Sequence, residues 1–161
     1  MTTTTDQPTL VPAHPQRMAL GKTVPAFYRA MNALDEASDD AVDPMLAELI
    51  RVRASQLNGC AYCVDTHNRD ARTKGELEHR LYALAAWRET PFFTVQERAA
   101  LALTEAVTLL AGRGVPDEVW DEAAEVFSPT ELGGILALNV TINAWNAIGV
   151  TTRMSPAPRP T

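Results

Sequence analysis

Cysteine is scarce in this chain of 161 residues: there are two, Cys60 and Cys63, too few for the disulfide framework that staples a small secreted domain. None is needed, because a domain of this length buries roughly two thirds of the surface that its unfolded chain exposes. Lysine is scarcer than arginine, two against twelve; the arginines are dispersed and the net charge is −6. A nucleic-acid partner is therefore excluded as an expectation, since such binding draws on clustered cations. The opening "MTTTTDQPTLVPAHPQRM" lacks the basic region, apolar run and cleavage site of a secretory signal. No apolar stretch is expected to span a membrane, and a cytoplasmic location follows. Also missing are hairpin dipeptides set between alternating strands; the one Asn-Gly, Asn58-Gly59, lies between two helical patterns.

What remains is helix signals in succession, with an apolar content of 46% that is ordinary for a globular protein. Asp43 as N-cap and Pro44 at the first helical position open a segment carrying Leu46, Leu49, Ile50 and Leu57 on one face, closed by Gly59. Thr94 and Glu97 form a capping box ahead of a helix expected to end at Gly112, and "SPTE" at 128–131 repeats the device. The helix after it is apolar almost all round, which predicts burial at the centre of the domain or against another subunit. Further helices are expected at 24–37, 76–88 and 116–126. The fold class is all-α, a compact helical bundle over residues 16–152, with flexible tails at 1–15 and 153–161, where threonine and proline dominate.

The segment "NGCAYCVDTHNRD" holds both cysteines and one of three histidines. On a helix beginning after Gly59, Cys60, Cys63, Val64, His67, Asn68 and Ala71 fall on one side, with His67 one turn beyond Cys63. The first-turn N–H groups, the helix dipole and the imidazole all favour a thiolate. The preceding helix offers Glu48 as a carboxylate to orient the imidazole, completing a nucleophile, base and orienter chain. Glu48 sits opposite the leucine stripe, so this role requires both faces of its helix to be covered. Two other readings stand beside this one. Cys60 and Cys63 are also suited to filling a core as small hydrophobes, and Cys60, Cys63 and His67 with Glu48 or His79 would make a zinc ligand set.

Here "ELIRVRASQLNGCAYCVDTHNRDARTKGE" resembles the core of the AhpD-like alkylhydroperoxidases within the carboxymuconolactone decarboxylase family. In that family a glutamate is followed after eleven residues by CxxC and then by a histidine four past the second cysteine, and Glu48, Cys60, Cys63 and His67 match at each spacing. The likeness runs through "RLYALAAWRETPFFTVQERAALALTEAV" to "NVTINAWNAIGV". It implies a cofactor-free, thiol-dependent peroxidase acting on alkyl hydroperoxides, reduced by an external dithiol such as a lipoylated protein and assembled as a homo-oligomer: dimer, trimer or hexamer. By the family's mechanism Cys63 attacks the peroxide, Cys60 resolves the sulfenic acid, and His67 and Glu48 relay the proton. The alternative is a non-enzymatic redox sensor or a structural CxxC protein. Tyr62 departs from the family type, which carries a histidine before its second cysteine; a phenol is a poor base near neutral pH.

For the remaining candidates the reading is structural. Tyr62 and Trp87 are expected to pack, His14 and His79 to lie on the surface, and Arg51 and Arg53 to pair with acidic neighbours. Asn139, Asn143 and Asn146, at helical spacing in the last helix, are expected to line a pocket, bond across a subunit interface or cap nearby helix ends.

Overall fold

A proline at the first helical position, an Asp43 carboxylate accepting from the N–H groups of Met45 and Leu46 at 3.0 Å, and a left-handed Gly59 set the limits of the helix that all others surround. The computed structural model describes residues 11–157; residues 1–10 and 158–161, the outer parts of the expected tails, lie outside them. In chain order the described residues form α1 (Leu20–Thr23), α2 (Pro25–Ser38), α3 (Pro44–Asn58), α4 (Ala61–Thr73) and α5 (Glu78–Ala83). A 3₁₀ segment, Leu84–Glu89, follows, and then α6 (Val95–Thr108), α7 (Leu110–Arg113), α8 (Asp117–Val126) and α9 (Pro129–Thr152). Among the described residues there is no strand.

The centre is α3, packed against α4, α6 and α9 together. Leu49, Ile50 and Val52 are wholly buried, and each such side chain contributes about 1.5–3 kcal/mol by leaving water. On one side α3 shares a core with Leu103, Ile135 and Leu138; on the other it meets Leu84, Trp87 and Leu101. The covering of both faces that Glu48 requires is thus supplied within one chain.

Two expected helices differ in the structure. The segment 76–88 begins only at Glu78 and tightens to 3₁₀ at Leu84. There Leu84 and Trp87, three apart and both buried, come into line at the 3₁₀ repeat. The helix after Thr94 breaks at Leu109 (φ −97°, ψ 24°), where no core contact holds the exposed side chain, and resumes as the short α7 through Gly112 to Arg113.

The last helix also needs correction. At 24 residues, uncharged beyond Glu131, α9 does reach membrane length, contrary to the expectation. Its polar side chains bond inside the bundle: Asn146 donates to Ser55 Oγ at 2.9 Å, Asn143 to Thr108 Oγ1 at 3.1 Å, and Asn58 to the side-chain oxygens of both asparagines. Those bonds tie α9 to the ends of α3 and α6, so these two asparagines secure helix ends, while Asn139 is buried with its Oδ1 unpartnered. Nor is α9 buried all round, since Leu136 and Val140 are exposed.

Candidate active site

The reversal at Asn58-Gly59 places the cysteines. Gly59, at φ 67°, adopts a conformation that a side chain would strain, and the Cys60 N–H turns back to the Ser55 carbonyl at 3.0 Å. Cys60 is then the N-cap of α4, its Sγ accepting from the Cys63 N–H at 3.3 Å. One turn of helix brings the two Cα atoms to 5.3 Å, and the sulfurs are joined as a disulfide. Both cysteines are buried, as the wheel predicts, and Ala71 with them; Val64, His67 and Asn68 are half-buried on the same side.

His67 meets Glu48 across the α3–α4 contact, with Nδ1 to Oε2 at 2.9 Å. The glutamate is 2% exposed and has two further cationic neighbours: Arg51 Nη1 at 3.2 Å from Oε1, and Lys74 Nζ on the same oxygen. Burial alone would raise its pKa. The hydrogen bonds from His67 and Lys74, with the charges of His67 and Arg51, overcome that and hold it at about 2. Glu48 is therefore an anion throughout the neutral range. A carboxylate only accepts, so Nδ1 carries the proton toward it, and Nε2 is the nitrogen left for exchange. Arg51 is itself steadied by Asp39, and burial raises the pKa of Asp35 against the pull of Arg51 nearby.

The zinc set is not assembled here. Disulfide sulfurs are not thiolate ligands, and His79 is exposed on α5 with its ring edge-on to Phe92 at 4.9 Å between centroids. Glu48, His67 and Asp70 do place ligand atoms within 4.8 Å of one another, but the cationic Arg51 and Lys74 already pair with Glu48 and disfavour a metal ion. Tyr62 points outward at 38% exposure instead of packing, whereas Trp87 packs and donates to Glu105 at 2.8 Å. Arg53 pairs with the same Glu105 at 2.8 Å. His14 is exposed.

Two site residues were missed in the sequence. Lys74 lies seven positions after His67, two helical turns along the same face, a spacing that could have flagged it. Gly149 carries no such local signal. A Cβ built there would stand 2.8 Å from Cys60 Sγ and 3.6 Å from Cys63 Sγ, so α9 can rest on the disulfide only with a hydrogen at this position. Beside it a crevice of about 190 Å³ reaches Cys60.

The fold and site together define an all-helical thiol–disulfide protein in which a CxxC pair on one helix neighbours a histidine–glutamate couple. The chain belongs to the carboxymuconolactone decarboxylase family, whose model matches residues 25–106, and is of the AhpD-like type. It is 35% identical over 136 residues to the uncharacterized protein YdfG of Bacillus subtilis (strain 168), covering 84% of this chain and 92% of that one. Among solved structures it is similar to ATU0492 of Agrobacterium tumefaciens, a protein of unknown function with a proposed AhpD role in antioxidant defence. The TM-score is 0.84 at 35% identity, over 89% of this chain and 100% of that one. The debrominase Bmp8 shares the fold, with a TM-score of 0.76 at 23% identity over 86% and 74% of the two chains.

Proposed function

We propose that this protein is a thiol-dependent peroxidase that reduces organic hydroperoxides by cycling Cys60 and Cys63 between dithiol and disulfide. The observation that carries this reading is a disulfide closed across one turn of α4 on the same helix face as an imidazole whose partner is a buried, ionised carboxylate. In the cycle, the Cys63 thiolate attacks the peroxide O–O bond. The S–O bond forms as O–O breaks, and the departing alkoxide takes from His67 Nε2, directly or through water, the proton that the Cys63 thiol gave up on ionising. Cys60 then displaces hydroxide from the sulfenic acid, giving water and the disulfide. Glu48 moves no proton in this scheme; it fixes the tautomer and ring orientation of His67. An external dithiol restores both thiols. The likeness to Bmp8 rests on fold and does not select a halogenated substrate.

Assembly with copies of itself is part of the proposal. Support comes from Phe27 and Leu34 on α2, and Leu136 and Val140 on α9, large apolar side chains exposed on two helices that pack together. Analytical ultracentrifugation tests it.

For the activity, purified protein should consume cumene hydroperoxide catalytically when a dithiol is supplied, and Cys63→Ser should reduce the rate to background. One-time oxidation without turnover would instead favour the redox-sensor reading.

A further inference from the structure

We infer that the reducing thiolate enters beside the C-terminal end of α9 and attacks Cys60 rather than Cys63. The inference rests on the redox cycle above and names the route of its second half.

In the oxidised protein a reductant must reach one sulfur of a buried pair. The crevice of about 190 Å³ has Cys60 among its lining residues and not Cys63. Its walls include Gly59 and Ala61 on one side and Gly149, Val150 and Arg153 on the other, with His14 also in the lining. Gly149 seats α9 against the Cys60 sulfur, on which a methyl there would press, so the crevice opens alongside this contact. The exposed Arg153 stands at the rim in a left-handed conformation (φ 58°), stopping α9 while the next N–H, of Met154, returns to the Gly149 carbonyl at 2.9 Å. Its guanidinium draws an anionic thiolate toward the opening.

The chemistry favours the same sulfur. Exchange is fastest when the departing thiolate is the better stabilised one. Attack on Cys60 Sγ forms a bond from the reductant's sulfur to Cys60 and breaks the Cys60–Cys63 bond, its electron pair leaving with Cys63. That thiolate lies in the first turn of α4, one turn before His67. The reductant's second thiolate then attacks the reductant's own bound sulfur, closing an intramolecular disulfide and expelling Cys60 as a thiolate. The Cys63 N–H, already directed at Cys60 Sγ at 3.3 Å, receives that developing charge. Two electrons have passed from the dithiol, Cys60 takes up a proton, and Cys63 is left ionised for the next peroxide.

The test uses the oxidised wild-type protein. It is mixed briefly with excess glutathione, a monothiol that halts at the mixed disulfide, quenched with N-ethylmaleimide, and sequenced by tandem mass spectrometry across residues 60–63. Glutathione on Cys60 and maleimide on Cys63 is the expected result; the reverse, or an even mixture, overturns the inference. In a second arm Val150→Trp fills the crevice from the exposed side of α9. Reduction of its disulfide by dithiothreitol should slow by about tenfold or more, with the helical circular dichroism of the wild type retained. Unchanged reduction refutes the route. Both arms read thiol exchange alone, so they remain decisive even where peroxide turnover is absent and the proposed function fails.

Discussion

Glu48 Oε2 and His67 Nδ1 stand 2.9 Å apart, joining side chains nineteen positions apart in sequence through the contact of α3 with α4. The glutamate is enclosed by protein on every side, and Arg51 and Lys74 share its second oxygen. Such an anion is a fixed charge and not a proton acceptor, which assigns the exchangeable proton to the far nitrogen of the histidine.

Replacing Glu48 by Gln should therefore harm both stability and rate. Arg51 and His67 lose their buried counter-charge, a loss worth about 3–5 kcal/mol when one partner of a buried pair is removed. Peroxidase turnover should fall about a hundredfold as His67 loses its orientation. Urea denaturation and steady-state kinetics on the same preparation measure the two effects.

Acid should act on the wild type through the same group. The folded pKa of Glu48, about 2, lies below its ordinary value of 4.5, so the native state gains from its ionisation fully above 4.5 and loses that gain as pH falls toward 2. The loss over this window is about 3 kcal/mol. Thermal unfolding followed from pH 6 to pH 2 should show an acid limb in the wild type that is shallower in Glu48→Gln.

Two glycines of one helix should respond differently to alanine. At Gly149 the new methyl would come 2.8 Å from Cys60 Sγ, so Gly149→Ala should cost the oxidised protein about 1–3 kcal/mol through overpacking. A methyl at Gly133 meets nothing within 4 Å, and Gly133→Ala should gain about 0.5–1 kcal/mol from helix propensity. Comparing their denaturation midpoints removes any effect common to the helix.

The order of importance of the helices was harder to read than their existence. Asp43, Thr94 and Ser128 mark three helix starts in the sequence because each cap is a local device, and all three accept the expected N–H bonds. Apolar content alone made α9 the candidate for the centre. The structure gives that place to α3, whose polar Glu48, Arg51 and Ser55 are buried because they satisfy one another or reach neighbouring helices. Such pairing is invisible to a hydropathy pattern. At the site, Cys60, Cys63, His67 and Glu48 were legible from spacing along two helices and from family likeness. Gly149 was not, because it approaches Cys60 from the far end of the chain and through the lack of a side chain.

The most direct measurement is a single turnover. Fully reduced protein mixed with one equivalent of cumene hydroperoxide should yield one equivalent of cumyl alcohol and one Cys60–Cys63 disulfide, with no free thiol left. Unconsumed peroxide over thiols that stay reduced would contradict the account.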